Sequence, residues 1–323
     1  MTDTSTAQRG RQRAQPDVVP IPGALGAEIR GIDLTQLDDA TFRTVHAAWL
    51  DNILLVFRGQ SVSAEDLVNL VRRFGTPVSS SNLHQRDLKE RAAHELYKLP
   101  AEVTVVSNVK EAGKTIGILG DGEIVWHSDF SFKEAPTAAR MLVAKEIPPH
   151  EKGGNTMFLN CYAAYDALSA AQKKRIAGKT IKQGNTVDTA MKLRPGASLT
   201  DDIRYTPGPS HPIISTHPET GANSLFLGRR HSAYANGLSL AESAALLDEL
   251  WEHAAQPRFC YEHVWAAGDV VIWDNRCTLH RRDAFDSTER RVLYAAQVEG
   301  HQPFEAPDAL SLPPHPRAKL FNS

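Results

Sequence analysis

"GEIVWHSDFSF", Gly122 to Phe132, sets a histidine and an aspartate one residue apart inside what otherwise reads as a buried apolar strand. Successive side chains of a strand point to opposite faces, so alternation predicts His127 and Asp129 on one face and Ser128 on the other. An imidazole and a carboxylate on a shared face can hold one metal ion. With 13 His and 38 Asp+Glu among 323 residues, 13 × 38/323, or about 1.5, such His-x-acid triplets arise by chance, so the pattern alone decides little. The other triplet, His217-Pro218-Glu219, lies in "THPETGANS", where Pro and Gly mark a turn between strands. It is an internal control, and with His211 it reads as structural. The metal reading needs support from elsewhere in the chain.

A chain of 323 residues can bury an extensive core as one large domain or two. With 41% hydrophobic and 23% charged residues and a formal charge of −2, it reads as an ordinary soluble globular protein with no polyanion-binding signature, so no nucleic-acid partner is expected. Cys161, Cys260 and Cys277 are far apart, odd in number and form no Cys-x-x-Cys pair, which suits a reducing cytoplasm. The start, "MTDTSTAQRGRQRAQP", lacks the apolar core of a signal peptide, and no later segment offers ~18 uninterrupted apolar residues, so no membrane association is expected. Residues 1–16 read as a disordered tail.

From there the chain gives strand-like "AEIRGIDL", Asp38/Asp39 as caps for a helix through Trp49, and the apolar strand "ILLVF". In "SVSAEDLVNLVRRFG", Ser63 and Asp66 have capping-box spacing, Leu67, Leu70, Val71 and Phe74 form one apolar stripe, and Gly75 supplies a stop. "VTVVSNV" and "ARMLVAKEI" read as strands flanking the opening motif. Residues 183–209 form a long stretch of little periodicity, read as a lid or a disordered loop. "HPIISTHPETGANSLFLG" reads as two strands around a turn, and Ser239 to Ala255 as a helix with Leu246, Leu250 and Trp251 inside. Many strands and few helices without regular alternation predict a mainly β fold, a barrel or jelly roll with helices packed outside.

His280 lies in "WDNRCTLHRR", on a short strand. Eleven residues on, "ERRVLYAAQV" places Arg291, Leu293, Ala295 and Gln297 on one strand face, and Val292, Tyr294, Ala296 and Val298 on the other. An arginine on a mostly apolar face needs an anion, whereas Arg290, on the opposite face, is expected outside. Trp126 and Trp273 read as core. Two histidines and one carboxylate on one side of a metal is the arrangement of non-heme Fe(II) oxygenases, and it also serves catalytic zinc.

The ordered set "WHSD", "GGNT", "HPIISTHPETG", "WDNRCTLH" and "RRVLYAAQV" resembles the taurine dioxygenase and 2,4-dichlorophenoxyacetate dioxygenase (TauD/TfdA) family of Fe(II)/2-oxoglutarate enzymes, from about Val19 to Val298. The resemblance implies a double-stranded β-helix, a cupin-like jelly-roll barrel, as a single domain over 17–300; the Pro-rich composition of "LSLPPHPRAKLFNS" reads as an extended C-terminal tail within 301–323. It implies that His127, Asp129 and His280 bind Fe(II), that Arg291 holds the distal carboxylate of 2-oxoglutarate and that Thr156 adds its hydroxyl. The reaction it implies is oxidation by O2 of a small, anionic organic substrate with release of succinate and CO2, in a protein that forms dimers or larger homo-oligomers. A zinc hydrolase and a cupin-like binding protein are the alternatives; neither requires the paired anchor that Arg291 and Thr156 offer a dicarboxylic co-substrate. Taurine-type members carry a second arginine where this chain has Ala295. In its place, Arg229 and Arg230 of "LGRRHSAYANG" are the candidates for binding the substrate anion at a strand end.

Overall fold

A computed structural model describes residues 15–79, 94–194, 196–200, 202–231 and 233–321, so the tail expected over 1–16 lies outside it apart from its last two residues. Two sheets organise the chain. Their strands are β1 (Asp17–Pro20), β2 (Ala27–Arg30), β3 (Leu54–Phe57), β4 (Thr104–Ser107), β5 (Ile118–Leu119), β6 (Ile124–His127), β7 (Ala139–Glu146), β8 (Thr156–Asn160), β9 (Cys260–His263), β10 (Val270–Asp274), β11 (Thr278–Arg282) and β12 (Val292–Val298). The larger sheet runs β1-β2-β3-β10-β7-β12-β4-β5 and the smaller β9-β8-β11-β6. All pairings are antiparallel except β2 with β3 and β4 with β5.

Period-two alternation decides how the larger sheet is covered. Leu55 and Phe57 of β3, Met141 and Val143 of β7, Val270 and Ile272 of β10, and Ala296 and Val298 of β12 face outward. They meet α1 (Asp39–Asn52) and α2 (Ala64–Phe74), which contribute Val45, Trp49, Leu67, Leu70 and Val71. The intervening residues, Leu54, Val56, Leu142, Ala144, Val271, Trp273, Leu293 and Ala295, face inward. There Trp273 packs edge-on against Phe158 of β8, ring centroids 5.2 Å apart, so the two sheets face each other. The smaller sheet's side of the core is completed by α3 (Cys161–Asp166), α4 (Ala170–Ile176) and α5 (Leu240–Ala254).

Local signals act as the sequence suggests. Asp38 caps α1 through Thr41 N at 2.8 Å, Ser63 and Asp66 form a capping box on α2, and Ser239 and Glu242 form one on α5. The C-terminal segment differs from the extended tail expected of it. Two short 3-10 helices, Ala309–Ser311 and Pro316–Phe321, fold back onto the domain. His315 stacks on Tyr162 at 4.3 Å, and the Arg317 guanidinium, buried, bonds Gly26 O at 2.6 Å and Asn52. Between residues 184 and 209 the described part of the chain makes an excursion, closed by Asn185 N donating to Pro207 O at 2.9 Å and by a bridge between Val187 and Leu193. No helix among the described residues is long and apolar enough to cross a membrane.

Candidate active site

The β6–β11 register sets His127 directly opposite His280, with ring centroids 4.1 Å apart. Asp129 arrives by another route than the alternation predicts. Strand β6 ends at His127, and the chain turns through Ser128–Phe130, with Phe130 in the left-handed region at φ 55°. Asn275, just past β10, holds this turn: its Oδ1 accepts from Asp129 N at 2.8 Å, and its Nδ2 donates to Asp129 O at 2.9 Å and Thr137 O at 2.8 Å. The result brings His127 Nε2 to 3.6 Å from Asp129 Oδ1, and His280 Nε2 to 3.8 Å from Asp129 Oδ2.

These separations are too long for hydrogen bonds. All three residues are buried, and their donor atoms lie within 4.8 Å of one another. His127 Nδ1 is 2.8 Å from Val125 O, which makes it the N–H donor and leaves the Nε2 lone pair turned inward. No hydrogen bond reaches the His280 ring among the described residues, and its Nδ1 is buried without a partner. Burial, then the neighbouring His127, holds His280 well below the ordinary histidine value and therefore neutral. Burial would raise the Asp129 carboxyl, but the guanidinium of Arg140 at 2.9 Å overrides it and holds the group well below the usual carboxylate range. Two imidazole nitrogens and an ionised carboxylate converging without mutual hydrogen bonds fit a divalent cation.

The three residues line a cavity of about 1280 Å³, and so do Thr156 and Arg291. Arg291 is only 2% exposed and has no carboxylate partner among the described residues. Its Nε donates to Gly154 O at 3.1 Å, an approach made possible because Gly154 has φ 86° and no Cβ; a Cβ there would meet Arg291 Cδ and Nε at 3.3 Å. Burial, then the charge of Arg282, depresses the Arg291 pKa. Thr156 Oγ1 accepts from Trp265 Nε1 at 3.0 Å, which leaves its hydroxyl proton free to donate.

The family model for taurine catabolism dioxygenase TauD, TfdA family, matches residues 17–297. The chain belongs to this family. A (S)-phenoxypropionate/alpha-ketoglutarate-dioxygenase of Sphingobium herbicidovorans is 31% identical over 300 residues, covering 88% of this chain and 95% of that relative. The crystal structure of a taurine dioxygenase from Burkholderia xenovorans aligns with TM-score 0.70 at 29% identity, over 92% of this chain and 94% of that one. The crystal structure of AAD-2 in complex with Mn(II) and N-oxalylglycine also aligns with TM-score 0.70, at 28% identity over 90% of this chain and 99% of that one. The protein is thus an alpha-ketoglutarate-dependent dioxygenase, an oxidoreductase, of the TauD/TfdA type.

In this dioxygenase His127, Asp129, His280, Thr156 and Arg291 come together in one cavity, and the two expected substrate arginines part company. Arg229 is buried and lines the cavity, whereas Arg230, half-buried, pairs with Asp248 of α5 at 2.8 Å away from the cavity lining. Arg290 is half exposed and paired with Glu146 at 2.6 Å and Glu111 at 3.0 Å, at the rim of the same cavity. The control histidine, His217, is buried with Nε2 3.0 Å from Asp274 and Nδ1 accepting from Glu219 N and Thr220 N, a structural role. Trp273 backs His280 edge-on at 4.9 Å. Asn275 and Arg140 were missed; an arginine in the apolar strand "ARMLVAKEI" carries the same signal that singled out Arg291.

Proposed function

We propose that the chain binds Fe(II) through His127, Asp129 and His280 and uses 2-oxoglutarate, held at its distal carboxylate by Arg291 and Thr156, to oxidise a small anionic organic substrate. The cavity sits in this reading at the heart of a double-stranded β-helix, and the free cysteines suit a cytoplasmic enzyme. One observation carries the assignment: the buried Arg291 guanidinium, with no carboxylate partner among the described residues, opens into the same cavity as a His/Asp/His cluster. Fe(II), when bound, supplies activation of O2 coupled to decarboxylation of 2-oxoglutarate, so that R–H, O2 and 2-oxoglutarate give R–OH, succinate and CO2.

The chain's own residues prepare this chemistry. Val125 O fixes the His127 tautomer, Arg140 keeps Asp129 ionised by binding its Oδ2, and Asn275 holds the turn that carries the carboxylate. Gly154 O orients Arg291 so that its remaining N–H groups are available to a carboxylate, for which a planar fork is the matching geometry. Arg229 supports an anionic substrate. Aryloxyalkanoates, sulfonates, sulfate esters and phosphonates form the panel to screen, with succinate formation as the readout.

With Fe(II) and 2-oxoglutarate under anaerobic conditions, the purified protein is expected to develop a weak visible charge-transfer band that His280→Ala abolishes. Tight zinc binding with no 2-oxoglutarate binding, or a band unchanged in His280→Ala, contradicts the assignment.

A further inference from the structure

Arg229 and Arg194 belong to separate segments, line the same cavity, and each keeps a buried Nε with no hydrogen-bond partner. Arg229, 4% exposed, gives Nη2 to Gly184 O at 3.2 Å. Arg194, in the 184–209 excursion, lays its guanidinium over the Phe132 ring at 4.4 Å. Neither forms a salt bridge among the described residues. Buried Arg140, by contrast, is paired with Asp129 at 2.9 Å, whereas Arg282 and Arg291, also buried, have no carboxylate partner among the described residues. Burial, then the charge of Arg194, lowers Arg229 to about 10, so the two cations feel each other. Asp188 is the acid that offsets them, but its Oδ1 is already engaged by Ala190 N and Lys192 N, both at 2.9 Å. One carboxylate against two guanidinium groups leaves the wall cationic, and buried charge without a counterion is costly.

Both arginines are tied to the chain segment that carries the His/Asp pair. Ser128 N donates to Gly228 O at 3.0 Å, immediately before Arg229, and the Gln183 side chain receives Arg229 N at 3.3 Å while donating to Leu227 O at 3.2 Å. On the other side, Val125 N donates to Thr189 O at 3.1 Å and Arg194 N to Thr186 O at 2.9 Å. We propose that Arg194 and Arg229 together form a two-guanidinium site for the oxyanion group of the primary substrate, so that the segment 185–194 contributes a binding residue as well as lining the cavity. The site is distinct from the Arg291 anchor, which rests on Gly154, and Phe132 with Phe130, ring centroids 5.6 Å apart, offers an apolar surface beside it for the substrate body. Calling the ligand a substrate rests on the dioxygenase reading; the anion selectivity does not.

Titration calorimetry on the full chain tests this with methanesulfonate and phenoxyacetate against the neutral analogues dimethyl sulfone and phenoxyacetamide. At least one anion is expected to bind about tenfold or more tightly than its neutral analogue. Arg194→Gln and Arg229→Gln are each expected to remove most of that preference while 2-oxoglutarate titrates as in the wild type. Arg194→Lys, which keeps the charge and loses the flat contact with Phe132, is expected to recover part of it, and melting curves confirm that each variant is folded. No preference in the wild type for either anion, or a preference intact in folded Arg194→Gln, overturns the proposal. Failure of every preparation, wild type included, to bind 2-oxoglutarate overturns the dioxygenase reading instead, and leaves the anion preference to be judged on its own.

Discussion

A turn that carries a buried carboxylate has backbone groups that water cannot reach, and the Asn275 side chain satisfies them: Asp129 N, Asp129 O and Thr137 O. Asn275→Ala leaves these groups unpartnered and is expected to cost roughly 2–4 kcal/mol, read as a lower urea midpoint. It is also expected to weaken Fe(II) binding by about tenfold to a hundredfold, because the carboxylate loses its support. Unchanged stability and metal affinity contradict this role. The residues of the His/Asp/His cluster and Arg291 were legible, since imidazole, carboxylate and an isolated arginine are unusual in apolar strand-like stretches and the chemistry they suggest is narrow. Asn275 was not, because its work consists of contacts to a turn 146 residues away in sequence. Asp129 was placed with its partner for an incomplete reason: strand alternation ends at His127, and a turn does the rest.

Elements were legible where a period or a cap governs them. The alternation in "RRVLYAAQV" sends Leu293 and Ala295 inward and Ala296 and Val298 outward, and serine caps start α2 and α5. The "GGNT" element shows what spacing alone conceals, since Gly154 combines a positive φ with close approach to Arg291. Gly154→Ala is expected to cost about 1–2 kcal/mol in backbone strain and, by displacing the guanidinium, to weaken 2-oxoglutarate binding. Gly178→Ala is the matched control: its φ is 69°, but a Cβ there meets nothing within 4 Å, so strain is expected without loss of 2-oxoglutarate affinity. Equal affinity in the two variants contradicts the positioning of Arg291 by Gly154. The Pro-rich C-terminal segment was misread as extended because composition does not reveal a partner such as Asn52, 265 positions earlier in the chain.

At the scale of the molecule, four buried histidines, His211, His263, His280 and His315, have pKa values lowered first by burial. Each is neutral when folded and takes up a proton near the ordinary value of 6.5 once unfolded. Their contribution to stability is therefore complete above that value and is lost as pH falls below it toward the folded values. The melting temperature of the metal-free protein is expected to drop between about pH 7 and pH 5. Added Fe(II) is expected to raise it more at pH 7.5 than at pH 5.5, because the ligands must be deprotonated to bind. A melting temperature flat across this range, or a metal effect independent of pH, contradicts this account. The central claim, that one cavity joins the His127/Asp129/His280 cluster to an Arg291 anchor for 2-oxoglutarate, is tested most directly by anaerobic titration of 2-oxoglutarate into the Fe(II)-loaded protein while following the visible band. Arg291→Ala is expected to weaken binding on the order of a hundredfold or more, about 3 kcal/mol, while Arg290→Ala, removing a surface cation paired with Glu146 and Glu111, leaves it nearly unchanged. Equal losses in the two variants, or undiminished binding in Arg291→Ala, would contradict it.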